Sequence, residues 1–137
     1  MKDGYRLVAA TPSADDYRRL RVSAGLSPKS AEAAAAGLPN SLFAVQVLKD
    51  DKVVGMGRVV GDGGLFYQVV DIAVEPAHQG QGLGKAIVER IVEHLRRTAP
   101  VGAYVSLIAD GEAWRLYEQY GFKPTAPASI GMAFSIR

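Results

Sequence analysis

Residues 71–85 read Asp71-Ile-Ala-Val-Glu-Pro-Ala-His-Gln-Gly-Gln-Gly-Leu-Gly-Lys85. This stretch predicts an apolar strand, a glycine-rich turn from Gly80 to Gly84 and the first turn of a helix. Free backbone N–H groups in such a turn attract anions, and the helix dipole adds positive potential. Glycine lets the backbone approach an anion closely because no Cβ intervenes. The stretch therefore predicts either an anion site or a strand-to-helix turn without a ligand.

Two phosphate-binding motifs do not fit this turn. A P-loop has a glycine five residues before the glycine of its Gly-Lys pair and a serine or threonine after the lysine. Gly84-Lys85 has Gln79 and Ala86 in those places. A dinucleotide fingerprint has the spacing Gly-x-Gly-x-x-Gly, whereas this turn has Gly-x-Gly-x-Gly. The turn alone leaves its ligand open.

The patterns upstream of the turn predict a sheet preceded by helices. A short strand over 5–10 comes first, followed by a helix capped by Ser13 and an alanine-rich helix over 28–36. Three apolar, β-branched runs then predict an antiparallel meander, over residues 42–48, 53–60 and 65–74.

Downstream of the turn the pattern becomes mostly helical. Leu83, Ile87, Ile91 and Leu95 recur every four residues, which predicts a helix with one apolar face. The remaining elements are a strand over 104–108, a helix over 112–120 and a last strand over 130–136. Because no repeat or linker interrupts the chain, a single α/β domain is predicted over residues 1–137.

Composition narrows the class of protein. The 137 residues suit one domain, and 48% of them are apolar, enough to bury a core. The chain has no cysteine, which excludes disulfides and thiolate nucleophiles, and His78 and His94 lack metal-ligand spacing. With no signal-peptide core and no membrane-length apolar run, a cytoplasmic protein is expected. A formal charge of +2 neither excludes nor favours nucleic acid.

Two motifs together indicate a family. Gln79-x-x-Gly82-x-Gly84 resembles the coenzyme A pyrophosphate motif of the Gcn5-related N-acetyltransferase (GNAT) family, and Ala113-x-x-x-Tyr117-x-x-x-Gly121-Phe122 resembles its late signature. The order of predicted elements is also similar to that family, most closely to small bacterial and plastid members that act on aralkylamines. The resemblance implies an α/β fold with a mixed, mostly antiparallel central sheet, splayed strands and about four flanking helices.

The resemblance also implies a site for acetyl-CoA without a metal. In the family, a long strand bulges and splays from its neighbour, and its backbone bonds the pantetheine arm. The matching cofactor-binding residues here are Ile72, Ala73, Val74, Gln79, Gly80, Gln81, Gly82, Leu83, Gly84 and Lys85. Asp110 stands where many members have asparagine, so it either positions the coenzyme or amine or only caps the following helix.

Two residues are the catalytic candidates. Tyr117 matches the general acid of the family, with a core tyrosine as the alternative. Asp71 is an acid inside an apolar strand, which is costly unless the acid is paired or functional, so it is either the general base or a structural partner. Strand alternation places Asp71 on the face opposite to Gln68 and Val70, and a bulge would reverse this.

The expected function is acetyl transfer from acetyl-CoA to a primary amine of a small molecule. Two alternatives stay open: a non-catalytic coenzyme A sensor or interaction module, and acetylation of a protein or peptide amine. The tail over 130–134 has two open roles, completing the acceptor pocket or forming a homodimer contact. No nucleic-acid or membrane partner is predicted.

Overall fold

The computed structural model describes residues 3–137, which divide into two compact units between Leu107 and Ile108. The first unit contains the sheet and three α-helices, and the second contains one short α-helix. A single domain over the whole chain stays a prediction.

The sheet of the first unit has five strands in the order β1-β2-β3-β4-β5. The strands are β1 (Tyr5–Val8), β2 (Phe43–Lys49), β3 (Lys52–Gly61), β4 (Phe66–Val74) and β5 (Tyr104–Ser106). Neighbours from β1 to β4 are antiparallel, and β5 runs parallel to β4. This confirms the predicted mixed, mostly antiparallel sheet.

The helices are α1 (Ala14–Ser23), α2 (Ala31–Gly37), α3 (Leu83–Thr98) and, in the second unit, α4 (Trp114–Glu118). Ser13 caps α1 by accepting a bond from the Asp16 N–H, as predicted. The start predicted for α2 was three residues early, because Ser30 accepts a bond from the Ala33 N–H and fixes the cap there.

Helices cover both faces of the sheet in the first unit. A Cβ on Gly57 would lie only 2.6 Å from the Ile87 side chain, so α3 packs directly on that face. The adjacent Met56 points to the opposite face, where it belongs to a buried cluster with Tyr17 of α1 and Ala34 of α2. The resulting three layers enclose the core.

A bulge interrupts the pairing of β3 with β4. Arg58 pairs with Val70 and Met56 pairs with Ala73, so two residues of β4 lie opposite Gly57. Asp71 is one of these two and has a φ of +60°. The bulge reverses the alternation, and Asp71 shares the α1-facing side with Val70.

Strand β4 extends well beyond its neighbour β5. The two strands pair only from Phe66 with Tyr104 to Gln68 with Ser106. The rest of β4, up to Val74, has no partner strand on the β5 side within the described residues. The first unit therefore has a splayed gap at this edge.

The second unit corrects one prediction. No strand forms over 130–136, where apolar and small residues alternate, so the predicted last strand was wrong. Alternation favours a strand, but a strand also requires a neighbour that pairs with its backbone groups. Helix α4 also occupies only the middle of the predicted 112–120 range.

Candidate active site

The glycine turn presents unpaired backbone N–H groups at the start of α3. Gly80 and Gly82 have φ angles of +79° and +80°, in the left-handed region that favours glycine. Gly82 is the N-cap of α3, and no side chain bonds to the first helical N–H groups. The first helical bond runs from the Ala86 N–H to Gly82 O, so the three intervening N–H groups lack a helical partner. This geometry suits a phosphate group.

The open edge of β4 presents further backbone groups. The Glu75 N–H donates to Val54 O on β3 at 2.9 Å. Because successive residues of a strand direct their N–H and C=O groups to alternate edges, those of Val74 and Ile72 face the gap, whereas those of Ala73 face β3. The Gln79 side chain donates to Val74 O at 3.1 Å, which agrees with this direction. Two of the three predicted strand residues thus face the gap.

The side chains of the turn differ in their surroundings. Leu83 is buried and anchors the start of α3 in the core. Gln81 and Gly84 are half-buried, and the Lys85 side chain is exposed. Lys85 therefore places a positive charge in the first turn of α3 and does not contribute to packing in the core.

Two contacts hold the loop between β4 and the glycine turn. The buried Glu75 carboxylate accepts a bond from Arg19 of α1 and lies 3.5 Å from Lys52 Nζ. Farther along, His78 Nδ1 and Tyr5 Oη are 2.8 Å apart. These contacts connect the loop to α1 and β1, so Glu75 does more than form a turn.

Asp71 lies at the centre of a buried polar cluster, defined here as Tyr17, Arg21, Arg58 and Asp71. The Asp71 carboxylate accepts bonds from Arg21 Nη1 and Arg58 Nε, both at 2.7 Å, and from Tyr17 Oη at 3.0 Å. The exposed fractions of the Asp71, Arg21 and Arg58 side chains are 6%, 11% and 14%. The structural-partner alternative for Asp71 is therefore present in the structure.

The buried surroundings of Tyr17 favour its protonated form. Burial, followed by the charge of Asp71 and the bond to it, raises the pKa of Tyr17 above its ordinary value. The phenol consequently stays protonated at neutral pH and acts as a donor to Asp71.

A cavity of about 200 Å³ adjoins this cluster. Ala33, Ala34, Gly37 and Leu38 provide its apolar wall. Tyr17, Arg58 and Lys29 provide its polar groups. The cavity thus lies between α1, α2 and β3, on the face to which Asp71 points.

The second unit carries Tyr117 and Asp110. Tyr117 lies on α4, half-buried, with its ring centroid 6.2 Å from that of Phe122. Burial and, to a smaller extent, the charge of Asp110 raise the pKa of Tyr117. The N-cap of α4 is Ala113 and makes no side-chain bond, so Asp110 does not cap the helix through its carboxylate. Its backbone oxygen instead accepts a bond from the Ala113 N–H at 3.1 Å.

Sequence analysis did not identify three cationic residues of the first unit, Arg21, Arg58 and Lys29. One signal was available for Arg58, which is the only charged residue inside the apolar run of β3, as Asp71 is in β4. Two opposite charges buried in neighbouring strands indicate an ion pair. No comparable signal marks Arg21 or Lys29, which lie among other polar residues.

Within residues 3–137, no group of three His, Asp or Glu side chains is arranged to hold a metal ion. None of the helices in the same range is both long enough and apolar enough to cross a membrane.

Curated relatives from plant plastids match part of the chain. The chloroplastic GCN5-related N-acetyltransferase 2 of Arabidopsis thaliana is 36% identical over 84 residues, which are 61% of this chain and 32% of that protein. The chloroplastic serotonin N-acetyltransferase 2 of Oryza sativa subsp. japonica is 38% identical over 81 residues, covering 59% and 40% of the two chains. The matches thus span about a third to two fifths of these relatives.

A solved structure matches almost completely. It is the crystal structure of a Staphylococcus aureus protein of unknown function described as a "probable acetyltransferase". The TM-score is 0.92 and the identity 46%, with 96% of this chain and 99% of that chain covered. The acetyltransferase (GNAT) family model matches residues 12–122. Since this match covers most of the sequence, the chain belongs to the GNAT acetyltransferase family.

Proposed function

We propose that the protein is an acetyl-CoA-dependent N-acetyltransferase that moves an acetyl group directly to a primary amine of a small molecule. The observation that carries the proposal is the uncapped start of α3, which follows the open edge of β4 after one loop and the glycine turn. The glycine turn suits the pyrophosphate of coenzyme A. The open edge suits the amide groups of the pantetheine arm, which would bind as an added strand.

Direct transfer in a ternary complex is supported by composition. The chain has no cysteine, so it lacks the thiol that would form a thioester intermediate on the protein. Acetyl-CoA supplies the acetyl group already activated as a thioester. The N–H groups of Ile72 and Val74 on the open edge are suited to bind and polarise a carbonyl oxygen there.

Proton transfer requires an acid and a base. An alkyl amine has a pKa of about 10.4 and must lose a proton before it reacts. Tyr117 is the proposed acid, because it matches the general-acid position of the late signature, and its raised pKa leaves the proton on Oη at neutral pH. Asp71 as the base remains a prediction, and its bonds to Arg21 and Arg58 are the alternative use of the same carboxylate.

The cofactor site is tested with a matched pair of glycine variants. Gly82 and Gly63 have φ angles of +80° and +81°, and a Cβ on either would meet no atom within 4 Å. Both valine variants therefore strain the backbone alike, but only Gly82→Val alters the start of α3. We expect calorimetry to show acetyl-CoA affinity at least about tenfold weaker in Gly82→Val and unchanged in Gly63→Val. Equal affinities in the two folded variants would refute the site.

Catalysis is tested by following coenzyme A release across a panel of small amines. Tyr117→Phe should lower kcat by about ten- to a thousand-fold and leave acetyl-CoA affinity nearly unchanged, because only the hydroxyl is lost. Tyr104→Phe, at an exposed position of β5, is the control. Tight acetyl-CoA binding without release for any small amine or peptide amine would favour the non-catalytic coenzyme A module.

Three further features of the proposal come from the sequence. They are a cytoplasmic location, the absence of nucleic-acid and membrane partners, and a tail over 130–134 that either completes the acceptor pocket or forms a homodimer contact. Light scattering of the wild type and of a chain truncated before residue 130 tests the homodimer.

A further inference from the structure

The polar groups that line the cavity beside α2 carry an unbalanced positive charge. Lys29 and Arg58 supply cationic groups and Tyr17 supplies a neutral phenol, while the remaining lining residues are apolar. Asp71 is the nearby anion, but two arginines share its carboxylate. The cluster around Asp71 therefore has one more positive than negative charge before Lys29 is counted.

Lys29 is held at the cavity by its neighbours rather than by an ion pair. Arg18 Nε donates to Lys29 O at 2.9 Å, and Arg21 donates to Ser27 O at 2.7 Å, so two α1 side chains fix the segment before α2. No carboxylate pairs with Lys29 in the part of the chain that the structure describes. Its ammonium group is thus available to a ligand.

Arg58 is also held in place, and its guanidinium group keeps N–H donors that could bind a ligand. Its Nε bonds to Asp71 and its Nη1 to Ser41 at 3.0 Å, while its guanidinium lies over the Tyr17 ring at 5.6 Å. A guanidinium has five N–H donors, and these two bonds use only some of them. A positioned guanidinium beside a lysine is the arrangement that binds carboxylate and phosphate groups.

We infer that the acceptor is an amine that also carries an anionic group, a carboxylate or a phosphate, and that Lys29 and Arg58 bind this group in the cavity beside α2. This inference rests on the proposed acetyltransferase function and specifies its substrate class. The volume of about 200 Å³ has room for several water molecules and suits a small metabolite rather than a folded chain.

The position of the cavity fits an acceptor. Tyr17 and Arg58 both line the cavity and both bond to Asp71, the residue that precedes the strand residues 72–74 proposed for the coenzyme. A ligand held there by its anionic end lies one side chain away from the strand segment proposed for the coenzyme. An amine that enters this cationic site also loses its proton more readily, because nearby positive charge disfavours the ammonium form.

The inference is tested with two matched pairs of acceptors, L-tryptophan with tryptamine and O-phosphoethanolamine with ethanolamine. The value of kcat/KM is calculated for the neutral-amine fraction, so that differences in amine pKa do not contribute. We expect the acidic member of at least one pair to be preferred by about ten- to a hundred-fold, the range expected of a charge-assisted bond. The two pairs distinguish a carboxylate from a phosphate site.

Lys29→Gln should reduce this preference about tenfold by raising KM for the acidic acceptor, with KM for acetyl-CoA unchanged. Arg6→Gln is the control, since it removes one exposed positive charge from β1 and should leave the preference intact. Equal effects of the two variants would indicate a general charge effect and overturn the inference.

The remaining outcomes separate this inference from the proposed function. Coenzyme A release that favours the neutral member of both pairs overturns the inference and leaves the acetyltransferase standing. If none of the four amines is acetylated although acetyl-CoA binds, N-acetyl-L-tryptophan and N-acetyltryptamine are titrated into the complex with coenzyme A. Equal binding of these two, or none, overturns the inference, whereas binding of the acid that Lys29→Gln abolishes supports it. A failure to bind acetyl-CoA refutes the proposed function itself.

Discussion

Replacing Asp71 by asparagine tests what the buried carboxylate does for stability. Asparagine is the appropriate substitute because Asp71 has a φ of +60°, and asparagine tolerates that region better than alanine does. The change keeps the shape of the side chain but removes its charge. One carboxylate oxygen becomes an N–H₂ donor that faces the donor of Arg21 or Arg58.

The magnitude follows from the burial of the cluster. Both arginine bonds to Asp71 are 2.7 Å long, and all three side chains are less than 15% exposed. Removing one partner of a buried ion pair costs about 3–5 kcal/mol, because the remaining charges stay buried without compensation. At about 3 °C per kcal/mol for a chain of this length, Tm should fall by about 10 °C or more.

Thermal and denaturant unfolding of both proteins measure the effect. Asp51→Asn is the matched control, since both members of the Asp51–Arg6 pair are exposed and such a pair contributes about 0–1 kcal/mol. A fall in Tm of less than about 2 °C for Asp71→Asn, with an unchanged denaturant slope, would refute the reasoning. If Asp71→Asn then lowers turnover measured well below Tm, and the residual turnover no longer falls at acid pH, Asp71 is a base and not a structural partner.

Three further predictions concern other parts of the chain. Gly57→Ala should destabilise the protein by about 1–3 kcal/mol in urea unfolding, because a Cβ there would lie 2.6–2.7 Å from side-chain atoms of Ile87 and Ile72. An unchanged free energy of unfolding would show that α3 can shift away. Since the pKa of Tyr117 is raised, acid catalysis should be lost only at a pH above the ordinary tyrosine pKa of about 10. The difference in tyrosinate absorbance between wild type and Tyr117→Phe measures the ionisation of Tyr117. Backbone N–H bonds lower the pKa of Asp62 in the folded protein. Its stabilising contribution should therefore be present above the unfolded-state pKa and disappear as pH falls through the lower folded-state pKa. Asp62→Asn should remove this pH dependence from melting curves measured between neutral and acid pH.

Much of the fold could be predicted because local signals agreed with packing. The apolar stripe of α3 became buried as its period indicated, and Ser13 capped α1. The turn between β2 and β3 consists of Asp50 and Asp51 alone, whose positive φ angles allow a tight two-residue turn. The strands consequently extend farther toward the turn than polarity alone predicted.

Local patterns in the sequence could not settle the last predicted strand or reveal the cavity beside α2. Alternation over 130–136 carries no information about whether a pairing partner exists. The cavity depends on Lys29 and Arg58, which are separated by 29 positions and line the same cavity because α2 packs over β3. Lys29, seen alone in the sequence, is typical of a solvated surface residue, and Arg58 in its apolar run indicates an ion pair but not a cavity.

The bulge at Asp71 explains why the two proposed sites, for the coenzyme and for the acceptor, would be adjacent. Phe66 O accepts a bond from Asp62 in the turn before β4, and Leu65 O accepts one from Tyr104 of β5. In an uninterrupted strand, odd-numbered residues would continue to face the β5 side, so Ala73 rather than Ile72 and Val74 would face the gap.

In a strand without the bulge, the Asp71 carboxylate would also lie on the other face of the sheet. Without the extra residue, Asp71 would alternate with Val70 and point toward α3, whose facing side chains include the fully buried Ile87 and Ile91. A buried carboxylate without donors is far more costly than a left-handed residue, which costs about 1–3 kcal/mol. The strained φ of Asp71 therefore persists because Tyr17, Arg21 and Arg58 bind the carboxylate on the α1 face. One local deformation thus aims the free N–H groups of β4 at the gap and orients Arg58 at the cavity, which couples the proposed coenzyme edge to the proposed acceptor site.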